Sequence, residues 1–211
     1  MASVAGKALK GRAMWAVWAM MLMLHSTLHG CDSPAPPAIK GNIADVIISG
    51  KTYHLEIAAD PAVRMKGLGG RTEIADDGGM IFVFAPSEVR VMGFVMRDCP
   101  IDIDILYLDG AGRVLTTYEM KAEAARGKDE GVAGDSDLNE LERKLRASPN
   151  DEALRARIQG DETYEGRLKQ YSSRFASTFV IELKAGSIKK LGVKEGDVVA
   201  FDRDGLKKLV R

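Results

Sequence analysis

The sequence predicts a β-rich α+β domain, built on a small curled sheet (antiparallel or mixed) or a barrel, with short helices and one helical insertion. Three observations carry this. Ile101, Ile103, Ile105 and Tyr107 alternate with Asp102, Asp104, Leu106 and Leu108, the period of two that belongs to a strand. Further short apolar runs recur along the chain, each bounded by Gly, Pro or Asp turn residues. From about residue 119 to 172 the pattern changes to charged sequence with leucines at helical spacing.

The chain opens on a different logic. Lys7, Lys10 and Arg12 lead into a twelve-residue apolar run, Ala13 to Leu24. A positive start before a short apolar run is the pattern of a secretory signal. As a helix this run spans about 18 Å, short of a ~30 Å hydrocarbon core. Leu28-His29-Gly30-Cys31 looks like a lipobox, the cleavage site of bacterial lipoproteins. That likeness makes residues 1–30 a signal peptide and Cys31 the lipid-bearing new terminus; the alternatives are an uncleaved anchor or a free Cys31. Residues 31–42, rich in proline, read as an extended tether. Residues 43–211 read as a single β-rich domain. The chain is thus expected in the bacterial cell envelope, outside the cytoplasm, with a membrane as partner through lipid at Cys31.

Composition narrows the rest. Hydrophobic residues make up 45%, enough for a core. Beyond residue 30 the chain carries 27 basic and 30 acidic side chains. No basic field remains, so nucleic acid is not expected as a partner. His54 is the one histidine past residue 30, which leaves no Cys/His zinc set; neither a metal nor a cofactor is expected. Cys99 is the one thiol past Cys31, expected buried and inert.

Within the domain, Asp45–Ile48 and Thr52–Ile57 read as a hairpin around Ser49-Gly50, with Tyr53, Leu55 and Ile57 inward and Thr52, His54 and Glu56 outward. Asp60-Pro61 starts a short helix that Gly67 ends. Met80–Phe84 has the length of a buried strand. Arg113–Tyr118 returns from Ile101–Leu108 across Asp109–Gly112. The insertion divides into three helices: one capped by Asp137, one starting near Ser148–Asp151, and one around Tyr164, Leu168 and Tyr171. Strands resume with Thr178–Lys184, Ser187 caps a short helix, and Val198–Phe201 reads as a last strand.

With these pieces in place the chain resembles the family of domain of unknown function 192, from about Val46 to Phe201 with the insertion interrupting. The residues that carry the likeness are Arg64-x-x-Gly67-Leu68-x-x-Arg71 and Gly79-Met80-Ile81-Phe82-Val83-Phe84. Phe94-Val-Met96-Arg-Asp98-Cys99, Ile101-x-x-Asp104-Ile105, Phe179-Val-Ile-Glu182 and Gly196-Asp197 complete them. Val95, Gly69 and Asp102 stand where the family has Trp, Met and Pro. The resemblance implies a compact curled sheet or barrel, often secreted, with no assigned activity.

Two sets of side chains are candidates for chemistry. Asp102 and Asp104 share a strand face about 6.5–7 Å apart, within range of a catalytic carboxylate pair; Asp98 and Glu182 extend that set. Arg64 and Arg71 flank a Gly-rich loop, where guanidinium forks suit an anion; with Asp104 they form the candidate ligand site. The plainer expectation is internal pairing of Arg64 or Arg71 with Asp98, Asp104 or Glu182. Met65, Met80, Met92 and Met96 read as core filling. Two function classes follow. One is a membrane-tethered, non-catalytic binding or interaction module for an unknown small molecule or protein. The other is a carboxylate-based hydrolase acting on cell-envelope material.

Overall fold

The computed structural model describes residues 37–130, 138–148 and 150–210. The signal, the lipobox, the tether through residue 36 and the Asp137 cap lie outside the described residues. One short strand and a hairpin begin the domain: β1 (Ile39–Lys40), then β2 (Ile43–Ile48) and β3 (Lys51–Ala58). Ser49 and Gly50 both take positive φ, 48° and 81°, the two-residue turn whose twist suits a hairpin. Helix α1 (Pro61–Lys66) follows, its first turn held by the Asp60 carboxylate accepting from the Ala62 and Val63 amides. Gly67 closes it at φ 51°, ψ −136°, outside the left-handed helical region the sequence leads one to expect.

Next come β4 (Gly79–Val83), β5 (Gly93–Phe94), β6 (Ile103–Leu108) and β7 (Val114–Met120). Helices α2 (Leu138–Ala147) and α3 (Glu152–Arg167) precede β8 (Tyr171–Ser172) and β9 (Phe179–Lys184). Short helices α4 (Ser187–Leu191) and α5 (Arg203–Lys207) finish the chain. One seven-stranded sheet runs β1-β2-β3-β4-β9-β6-β7, and β5 pairs with β8 apart from it. The sheet is mixed, because β3 and β4 are parallel while its other neighbours are antiparallel.

The sheet does not close into a barrel, which corrects that half of the expected class. Val198–Phe201 is also not a strand. It is a strap: Ala200 bridges Ile47 on β2, and Val198 bridges Arg113 just before β7. The strap spans the two margins of the curled sheet without forming a ladder.

The strand alternation sorts two cores. Leu106 and Leu108 join Ile81, Val83, Ile181 and Leu183 on one face. Ile103, Ile105 and Tyr107 join Met80, Phe82 and Val180 on the other. All six residues of β6 are buried, so this central strand is covered on both faces.

The insertion holds two helices among the described residues, not three. Tyr164 falls inside α3, Leu168 at its C-cap and Tyr171 in β8. Tyr164 is buried with the Arg126 guanidinium 3.8 Å and the Arg167 guanidinium 4.7 Å from its ring centre. Its hydroxyl accepts from the Asp98 amide at 2.8 Å. Arg97 meets Glu165 beside it. The end of α3 is therefore fastened to the segment around Asp98 by charge and ring contacts. Among the described residues no helix is long and apolar enough to cross a membrane.

Candidate functional site

The register aligns Glu56 on β3, Met80 on β4, Glu182 on β9 and Ile105 on β6 in one row across the sheet. Side chains in such a row share a face. Glu182 sits beneath the loop that follows α1 and is 4% exposed. Gly67 lies directly above: a Cβ there would be in ordinary contact with the Phe82 ring at 3.4 Å and with Glu182 Oε2 at 3.5 Å, and it is the φ of 51° that favours glycine. The Leu68 amide and the Arg71 charge favour the carboxylate, but burial outweighs both and pushes it up to about 8. Glu182 therefore keeps its proton at neutral pH, and Oε2 has no hydrogen-bond partner.

Above this buried acid, Arg71 sets its fork on Glu56, with Nη1 to Oε1 at 2.6 Å and Nη2 to Oε2 at 2.7 Å. The pairing holds the Glu56 carboxyl below its ordinary range. A cleft of about 640 Å³ opens here, lined among others by His54, Glu56, Arg71, Glu73 and Lys184. His54 Nδ1 lies 2.7 Å from the Asp45 carboxylate, and Lys184 reaches Asp76 at 2.5 Å. The cleft thus presents charges of both signs, from His54 and Glu56 on β3, Lys184 on β9 and Arg71 and Glu73 in the loop before β4, beside one acid held neutral.

The other candidates are dispersed. Asp104 is fully buried on the opposite face from Glu182, although their strands are neighbours: Asp104 stands across from Leu183, and Glu182 from Ile105. Its Oδ2 accepts from the Ile188 amide at 2.7 Å, and the Gly186 and Ser187 amides add support. Asp104 is thus the cap of α4, supplied from β6, where the sequence assigns that task to Ser187. Burial still raises its carboxyl above the ordinary range, and Oδ1 has no partner. Asp102 lies outside the strand, bonded to Lys121 at 2.8 Å and to the Ala122 amide. Asp98, at φ 49°, pairs with Arg126 at 2.8 Å.

The expected partnership of Asp104 with Arg64 or Arg71 is therefore corrected. Arg64 bonds the Ala59 and Val83 carbonyls and pairs with Glu88 at 2.7 Å. Arg71 takes Glu56. Local sequence carried no signal for either pairing, because both partners come from distant strands or turns. Glu56 was legible only as an outward residue two positions from His54. Met80 and Met96 are core residues and Met92 packs against the same core, whereas Met65 is exposed. Cys99 is buried, and burial pushes its thiol up.

Replacing Asp104 by asparagine should lower the urea midpoint by the equivalent of about 1–2 kcal/mol, because the charge-accepting cap on α4 is weakened and an amide meets the unpartnered Oδ1 position. An unchanged midpoint would remove the cap from the account of stability.

The family model of domain of unknown function 192 (DUF192, Uncharacterized ACR) matches residues 44–136. That span takes in β2 to β7 with the loop over the buried acid, and ends before β9, so Glu182 lies beyond it. The chain resembles the family over this stretch. Two solved structures are similar. A protein of unknown function from Novosphingobium aromaticivorans DSM 12444 is 24% identical with a TM-score of 0.50, covering 79% of this chain and 93% of that one. A protein from Sinorhizobium meliloti 1021, described as a candidate transcription regulator, is 24% identical with a TM-score of 0.48, covering 74% of this chain and 90% of that one. The first likeness bears on the fold alone. No curated protein matches the chain.

Proposed function

We propose that this chain is an envelope lipoprotein, tethered outside the cytoplasm through Cys31, whose domain binds a polar, charged ligand without turning it over. The observation that supports a binding role is the separation of the acids. Asp98 and Asp102 are each engaged by a basic side chain, while Asp104 and Glu182 lie on opposite faces of the sheet. A carboxylate hydrolase needs two such groups facing one bond across about 5–9.5 Å, and this arrangement weighs against one. The cleft over Arg71 and Glu56, with its mixed charges, suits recognition of a ligand bearing both signs.

Two measurements test this. Cys31→Ser in the full chain should abolish membrane fractionation and leave the urea midpoint of the domain unchanged; retention on membranes after an alkaline wash would overturn the tether. Turnover of envelope material that disappears with Asp104→Asn or Arg64→Met, in proteins that remain folded, would overturn the non-catalytic role.

A further inference from the structure

The antiparallel pairing of β5 with β8 continues to a bridge between Arg90 and Ser177, but out of register. Two extra residues on the β8 side make a bulge, and Arg174 and Phe175 lie in it. The bulge is a built feature. Ser173 and Ser177 are fully buried, and both hydroxyls donate to the Phe175 carbonyl, at 2.7 and 3.2 Å. The Met92 amide donates to Ser173 Oγ at 3.0 Å, and Arg174 takes a left-handed φ of 59°. This locked backbone leaves the Phe175 ring 56% exposed. Val91 stands across from the bulge, 55% exposed, with Val89 beside it at 36%. Arg90 and Arg174 interleave with these apolar residues and are exposed. Arg174 makes only a 3.8 Å contact with the half-exposed Glu195 and lies 5.7 Å from the Tyr118 ring.

An aromatic ring with valines beside it, interleaved with arginines and fixed rather than floppy, matches the boundary of an anionic bilayer. The apolar groups enter the headgroup region and the guanidiniums meet phosphate. We propose that this tip rests on the lipid surface to which Cys31 is tethered. The inference rests on the lipoprotein reading above. Cys31 precedes Pro37 by six residues, and six extended residues reach at most about 20 Å. A lipid at Cys31 thus keeps the domain at the bilayer and raises the local concentration of headgroups at its surface.

The test uses the processed chain, lipidated at Cys31 and reconstituted into phosphatidylcholine–phosphatidylglycerol vesicles whose acyl chains carry bromine. Phe175→Trp is compared with Leu209→Trp, an exposed position just past α5; the chain that begins at Cys31 has no tryptophan of its own, because Trp15 and Trp18 fall in the signal peptide. The emission gained with Phe175→Trp should be quenched at least twofold and shifted to the blue, and that of Leu209→Trp should not. Quenching should fall when Arg90→Glu and Arg174→Glu are added. Val91→Trp serves as a second probe should the first variant not fold. Unquenched emission from vesicle-bound protein would overturn the lipid contact while leaving the tether intact, and would turn attention to an acidic protein partner. Failure of the chain to bind vesicles at all would overturn both.

Discussion

Replacing Gly79 by alanine should cost the domain about 4 kcal/mol or more, a large part of the ~5–15 kcal/mol that holds a typical fold. Gly79 opens β4 at φ 145°, a backbone conformation that side-chain-bearing residues rarely adopt. A Cβ there would lie 2.2 Å from the Glu182 carbonyl oxygen and 3.1 Å from the side chains of Leu55 and Leu183. The offending atom is backbone in the partner strand, paired with Gly79 through Leu183, so it cannot swing aside. The loss should appear as a collapse of soluble yield or a large drop in the urea midpoint. Gly70→Ala is the control: its φ of 77° is also strained, but nothing lies within 4 Å of its added carbon. It should cost only about 1 kcal/mol. Equal midpoints for the two variants would show that the close approach is not decisive.

The second large effect follows from the buried acid on β9. Its folded-state pKa is raised from the ordinary 4.5 to about 8. Between those values the folded state holds a proton that the unfolded chain has released, so stability falls as pH rises through this window. The contribution is fully present below about pH 4.5 and lost above about pH 8, a difference on the order of 5 kcal/mol. Asp104 is shifted in the same direction, by burial, and adds to the decline. Glu182→Gln keeps the shape and cannot ionise. Urea midpoints measured at about pH 5, 7 and 9 should therefore decline steeply in the parent and much less in the variant, with the variant the more stable of the two at the alkaline end. A parent profile as flat as the variant's would mean that Glu182 reaches water or a partner when it ionises.

Much of the sheet was legible because its signal is local. The alternation through Ile103, Asp104, Ile105, Leu106, Tyr107 and Leu108 sorts onto the two cores as the period requires. The positive-φ pair Ser49-Gly50 and the Asp60-Pro61 helix start are written in adjacent residues. The site was legible in residue types and not in partners. Arg71 and Glu182 could be singled out, but the row joining Glu56 to Glu182 depends on the parallel pairing of β3 with β4, which nothing local encodes. Asp104 illustrates the same limit. Its place mid-strand marked it as unusual, yet the amides it caps lie in a helix more than eighty positions later. The third helix of the insertion failed for a related reason, since Tyr164, Leu168 and Tyr171 keep a helical spacing while only the first lies in a helix. Contacts with Arg126 and with the Asp98 amide fix where that helix ends its role.

The strap at Val198–Ala200 bears on how the protein is made. Its two bridges, Ile47 to Ala200 and Arg113 to Val198, both join residues far apart in the chain, and the partner on β2 is made long before the strap. The margin of the sheet at Ile47 thus waits, edge exposed, until Ala200 has been synthesised. Folding to the finished state is gated by the strap, and contacts this distant in sequence favour slow closure. A chain truncated before Val198 would leave both sheet margins unclasped and open to pairing with another chain, so premature termination here is a route to aggregation more than to a smaller working domain.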